Sequence, residues 1–138
     1  MFDPRLYILM RTDMASMNPG KGMAQAAHAA NAFVGDMEDF ARNGPIEGSQ
    51  HTQAFRAWAQ QTAQNFGVTY TLAVPDEVTM ENTVKMARML HYPADVIFDP
   101  TYPVRDGLVT HLIPVYTCAY VFSPDGAPRF LSKFDLHP

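Results

Sequence analysis

The apolar and polar positions of this chain change period several times, and each change marks an element. Arg5–Met10, RLYILM, is a short apolar run without a breaker, the pattern of a buried strand. Arg11–Gly20 is irregular and polar, a loop, and its Asn18 and Pro19 suit the opening of a helix. A long helix is expected over Lys21–Arg42, broken by NGPIEGS at Asn43–Ser49. His51–Phe66 reads as a second helix with Phe55, Trp58, Ala59 and Phe66 turned inward and Gly67 as its terminator. Val68–Val74, VTYTLAV, is β-branched and alternating, a strand. In PDEVTMENTVKMARMLHYP the acids Asp76, Glu77 and Glu81 come early and Lys85 and Arg88 late. That order suits a helix dipole, and Met80, Val84, Ala87 and Leu90 form the apolar stripe. Ala94–Pro100 is a third strand, TYPVRDG a loop, and Leu112–Phe122 the longest strand; SPDGAP is a turn, and RFLSKF returns as an edge strand.

The order β-α-α-β-α-β-β predicts a three-layer α/β/α domain on a mixed sheet of about four strands, with helices between parallel strands and a closing antiparallel hairpin. The 138 residues suit one domain, 1–138, without repeat or linker. Composition adds exclusions. No apolar run approaches the roughly 18 residues of a membrane span, and Arg5 and Arg11 interrupt the N-terminal run, so it does not read as a signal peptide. Cys118 is the only cysteine, so no intramolecular disulfide is expected and a cysteine zinc site is disfavoured; in YTCAYVF it reads as a buried, inert thiol in a reducing cytoplasm. The net charge of −4 argues against a generic nucleic-acid coat, though not against a local basic mouth from Arg5, Arg11, Lys21 and Arg105.

The stretch MNPGKGMAQAAHAA raises the chemical question. It is not a phosphate-binding P-loop: Gly20 and Lys21 fit, but position 15 is Ala and position 22 is Gly, so the magnesium-binding hydroxyl is missing. A lysine at a helix start also opposes the dipole, so Lys21 is out of place as decoration, although the effect is only a few tenths of a kcal/mol to about one. At about 100° per residue, Met23, Ala26, Ala27, Ala30, Phe33, Val34, Met37 and Phe40 share a broad core face. Lys21, Gln25, His28 and Ala32 form a narrow stripe on the opposite side, flanked by small residues, against which a ligand could lie closely. His28 alone is weak, because a lone histidine on an alanine-rich helix is more often structural, and no second ligand at metal spacing supports a metal site.

LYILMRTDMASMNPGKGMAQAAHAANA resembles the opening of the type 2 (archaeal and eukaryotic) peptidyl-tRNA hydrolase family. An apolar strand runs into Arg11-Thr12-Asp13, a loop, Gly20-Lys21, Gln25 and His28-Ala29 at the family's spacing. The likeness continues through VTYTLAVPDEVTMENTVKMARML and covers most of residues 5–122. The family's second motif, D-A-G-x-T-x-x-x-P with a later threonine, is altered. RDGLVTHLIP supplies Asp106, Thr110 and Pro114 at that spacing, with Thr117 near the later threonine, but the glycine comes one place early and DPTYPVR precedes it. The alternative uses Asp99, with Pro103 in place of the threonine; we take Asp106, because aspartate, threonine and proline then all match. The tail SPDGAPRFLSKFDLHP also departs, looking like a hairpin rather than the usual helix-containing end.

The resemblance implies hydrolysis of the ester between a peptide and the terminal ribose of tRNA, with tRNA as partner, no metal or organic cofactor, and a homodimer; the residues themselves carry no oligomer signal. It casts Lys21 as oxyanion or phosphate contact, Asp106 as orienter of a water or tuner of Lys21, and Thr110 and Thr117 as hydroxyl donors. Gly20, Gln25 and His28 would meet the acceptor end of tRNA, and Arg11 and Arg105 its phosphates. The bland counterpart is that DG at 106–107 is a turn signal and that strand threonines are commonplace. Two other readings stay open: a non-catalytic tRNA- or nucleotide-binding relative, favoured by the altered DPTYPVRDG, and an interaction protein or hydrolase of another small ester or amide, favoured by the acidic charge.

Overall fold

The first apolar run becomes the strand on which everything else is laid. In the computed structural model, which describes residues 2–44 and 49–138, β1 spans Arg5–Arg11. Its Leu6, Ile8 and Met10 enter one core and its Tyr7 and Leu9 the other, which is why the run shows no polar alternation. β2 (Thr69–Val74) pairs with β1 in parallel, β4 (Val109–Ser123) pairs with its other side antiparallel, and β3 (Ala94–Asp106) pairs antiparallel with β4 at the outside. The order is β2-β1-β4-β3, a four-stranded mixed sheet. Helices α1 (Pro19–Asn43) and α2 (Ser49–Ala59) cover one face. Helix α3 (Glu77–Met89) and a 3-10 turn at Arg129–Leu131 cover the other. The expected three-layer α/β architecture is present.

Phe33 of α1 ties the first layer to the sheet. Its ring lies 5.5 Å from Phe55, 5.2 Å from Trp58 and 4.9 Å from Phe122, so both helices and β4 share one aromatic cluster. On the far side Asp76 caps α3, accepting from the Thr79 backbone N–H at 2.7 Å.

Several expectations need correction. Helix α2 ends at Ala59, and Phe66 is half exposed rather than inward. Gly67 does not terminate a helix; it lets the chain pass against Trp58 and Gln61, where a Cβ would collide. The break expected at 43–49 falls largely on 45–48, outside the described residues. In α3, Leu90 caps the helix half exposed, and Thr83 is buried in its place because its hydroxyl donates to Thr79 O. RFLSKF forms the 3-10 turn rather than an edge strand. The pairing at the β2 edge comes later, where Leu136 bridges Leu72 and His137 N donates to Thr71 O.

The largest difference is the segment read as the loop TYPVRDG. It is strand. The β1–β4 ladder stops at the Met10–Cys118 pair, and β3 and β4 continue past it as a two-stranded arm. The arm turns at Gly107, whose φ of +59° suits the first central position of a two-residue hairpin turn. Pro100 and Pro103 masked it in the sequence, but β3 is the outermost strand, where proline costs no ladder bond.

Candidate functional site

Two bulges at the foot of the arm build the site. Ile97 pairs with Cys118 and Phe98 with Tyr116, so Thr117 is an extra residue in β4. Asp99 pairs with Val115 and Tyr102 with Ile113, so β3 carries an extra residue between them. Bulges re-aim side chains. The first turns Thr117 toward α1 beside Cys118, and the second lets Asp99 and Tyr102 both face α1.

What they meet is Gln25. Its Nε2 donates to Asp99 Oδ2 at 2.7 Å, and Thr117 Oγ1 donates to its Oε1 at 2.7 Å. Thr101 N–H and its hydroxyl donate to Asp99 Oδ1 at 2.8 and 3.2 Å. Gln25, Asp99 and Thr117 are all buried. A carboxylate only accepts, so the amide orientation of Gln25 is fixed by its partners. Burial pushes the Asp99 carboxyl upward; the bonds from Gln25 and Thr101, with the nearby His28 adding to them, outweigh it and hold Asp99 below the ordinary carboxylate range.

One helical turn before Gln25 stands Lys21, at the rim. Asn18 caps α1 by accepting from Lys21 N at 2.9 Å, with Pro19 opening the first turn, as the sequence suggested. The Lys21 ammonium donates to Pro103 O and lies 5.2 Å from the centre of the Tyr102 ring. Tyr102 is fully buried, and its hydroxyl meets Ser16 Oγ at 3.1 Å. No carboxylate pairs with Lys21 among the described residues, and an ammonium has three donors. Together with the N-terminal end of a 25-residue helix it makes a small electropositive spot on an acidic chain.

The expected site residues fall into two groups. Lys21, Gln25 and Thr117 come together, with Gly20 and His28 exposed beside them on α1. Asp106 and Thr110 do not join them. Asp106 lies three residues beyond Pro103, roughly 10 Å along the strand, at the arm tip, 83% exposed and 3.7 Å from His111; Thr110 is exposed opposite Arg105. The carboxylate that does join is Asp99, the alternative left aside because it lacks the threonine spacing. Arg11 is spent on structure: it grips both oxygens of Asp13 at 2.9 Å and donates to Tyr116 O at 2.8 Å. Arg105 is exposed on the arm.

The helical wheel also needs turning. Gln25, Ala29, Phe33 and Met37 are the buried line of α1, whereas Met23 is 72% exposed and Ala27 is exposed. The buried line is rotated by about 70° from the expected core face, toward the polar stripe. Alanines give that stretch little phase information, and nothing in the sequence shows that the Gln25 amide is buried between partners on β3 and β4.

Cys118 is buried at the same place, its thiol donating to Gln25 O at 3.4 Å, and burial pushes that thiol up to about 12. A hollow of about 710 Å³ lies between the far half of α1, His51, His91 and Tyr120. It is about 15 residues along α1 from Lys21, roughly 22 Å, so it lies apart from the Lys21 cluster; a smaller hollow of about 240 Å³ lies at the start of α1, lined by Asn18, Pro19, Gly22 and Met23. Among the described residues no three metal-ligating side chains converge and no helix is long and apolar enough to cross a membrane.

No curated protein matches the chain. A family profile does: Peptidyl-tRNA hydrolase PTH2 matches residues 5–115, a span that holds Lys21, Gln25 and Asp99 and ends two residues before Thr117. The chain belongs to the PTH2 family of peptidyl-tRNA hydrolases.

Proposed function

We propose that this protein hydrolyses the ester of peptidyl-tRNA at the junction of α1 with the foot of the β3–β4 arm. The observation that carries the proposal is Lys21, an ammonium with unspent donors, standing one turn from the buried Asp99–Gln25–Thr117 chain. Water attacks the ester carbonyl carbon, negative charge develops on its oxygen, and the ribose oxygen leaves as the alcohol. Lys21 stabilises that developing oxyanion. Asp99, in the role that the resemblance assigns to Asp106, has about four acceptor positions, of which three are filled; the fourth holds the attacking water. Thr117 and Gln25 position Asp99 rather than touch substrate. His28 and Gly20 border the path of the tRNA acceptor end, whose phosphates are drawn to the helix start. Nothing in this scheme calls on a metal ion. The whole chain, 1–138, acts as one domain in the cytoplasm, and we propose a homodimer only on the family likeness.

The second reading, a tRNA-binding relative without turnover, is favoured by one observation: Pro103 O and the Tyr102 ring already cap Lys21 on one side. Release of free tRNA from N-acetylaminoacyl-tRNA, with EDTA present, separates the two. Turnover lost in Lys21→Ala supports the hydrolase. Tight tRNA binding without turnover by the folded protein supports the relative.

A further inference from the structure

The arm presents to the site a face unlike the surface around Lys21. Its register pairs Tyr102 with Ile113, Val104 with His111 and Asp106 with Val109. Directly opposed residues share a face, and Tyr102 faces α1, because its ring takes the Lys21 ammonium and its hydroxyl meets Ser16. Ile113, Val104 and Val109 therefore rise on the same side as Lys21. Ile113 and Val109 are 37% and 55% exposed, and Val104 is half-buried. Arg105 pairs with Thr110 and so belongs to the opposite face. Beyond Tyr102 the only titratable groups on the site side are His111 and Asp106, side by side at the tip.

The substrate of the proposed reaction has two limbs leaving one ester. The RNA limb is a run of phosphates and is drawn to positive charge; the start of α1 supplies Lys21 and the helix N-terminus. The peptide limb is uncharged along its backbone and often apolar in its side chains. The arm gives no lysine or arginine on this face and a row of partly exposed apolar side chains, Ile113, Val104 and Val109, continuous with the foot where Lys21 is anchored. We infer that the site-side face of the β3–β4 arm holds the peptide limb and gives the enzyme a preference for apolar residues near the peptide's C-terminal end. This rests on the hydrolase reading above. From Tyr102 to Asp106 is four residues, about 13 Å at strand rise, room for about four extended peptide residues.

The test compares kcat/KM for two substrates, N-acetylaminoacyl-tRNA and a tRNA carrying an apolar tetrapeptide. Wild type should prefer the tetrapeptide. Ile113→Asp and, as a milder variant, Ile113→Thr should reduce that preference about tenfold and partially, since burying such a side chain is worth enough for one order of magnitude. Leu112→Asp, on the opposite face, should leave the preference intact. Equal turnover of both substrates by wild type, or a preference unmoved by both Ile113 variants, overturns the inference and leaves the hydrolase reading standing. So does a wild-type dimer by light scattering that Ile113→Asp dissociates without changing the preference, because a second copy then covers this face. No turnover of either substrate by folded wild type overturns both.

Discussion

Replacing Asp99 by Asn, beside Asp106 by Asn, separates the two aspartates without any substrate. In Asp99→Asn the amide oxygen can still accept from Gln25 Nε2, but the new NH2 then meets the Thr101 N–H, donor against donor. Removing the charge also removes the burial penalty, so the sign is not obvious in advance. The geometry decides it: three donors converge on the Asp99 carboxylate, and the amide cannot accept from all of them. Charge-assisted bonds contribute about 1.5–3 kcal/mol each, and water at the exposed Thr101 recovers part. We expect a net loss of about 2 kcal/mol at pH 7, or roughly 6–10 °C in Tm for a chain of this size. A carboxyl depressed in the folded state stabilises above its unfolded pKa, about 3.9, and loses that contribution as pH falls through the lower folded value. The gap between wild type and Asp99→Asn should be constant from pH 7 to 5 and shrink below pH 4. Asp106→Asn, exposed and weakly paired, should stay within about 0.5 kcal/mol throughout. Thermal melts followed by circular dichroism across that range give the answer. Superimposable Asp99→Asn and wild-type melts would refute the buried network.

Three further outcomes follow from the same geometry. Thr117→Val leaves Gln25 Oε1 buried without its donor and should cost about 1–3 kcal/mol, whereas Thr117→Ser keeps the hydroxyl and should cost less; equal melts for the two would contradict the bond. Cys118, raised to about 12 by burial, should resist a thiol reagent at pH 8 in the native protein and react at once in urea; fast native labelling would mean that the strand opens. Gly67→Ala drives a Cβ into the Trp58 backbone and ring and should lower Tm by more than Gly35→Ala, which meets nothing within 4 Å and removes a helix-interior glycine.

Much of the frame was legible in the sequence. The unbroken run of β1, the Asn18-Pro19 start of α1 and the acid-first order of α3 each follow from one local rule, and each stands where it was expected. The arm was not legible, because Pro100, Pro103 and the Asp106-Gly107 pair are loop signals unless the strand is known to be an edge. That knowledge is a property of the whole sheet. The same holds for the site. Lys21, Gln25 and His28 announce themselves by spacing on one helix. Asp99 does not, since what brings it to Gln25 is a pair of bulges on facing strands. A spacing match, Asp106 with Thr110 and Pro114, therefore pointed to the far end of the arm. The one local hint at Asp99 was its position directly after an apolar strand, followed by Pro and Thr.

The central claim is that Lys21 and Asp99 together serve ester hydrolysis at the foot of the arm. The most direct measurement is single-turnover release of tRNA from N-acetylaminoacyl-tRNA by wild type, Lys21→Ala, Asp99→Asn and Asp106→Asn, with EDTA present and folding checked for each. The account predicts turnover by wild type, losses of at least about 100-fold in Lys21→Ala and Asp99→Asn, comparable to removing a charge-stabilising donor from an active site, and a rate within about twofold of wild type for Asp106→Asn. A large loss in Asp106→Asn with Asp99→Asn spared would contradict it.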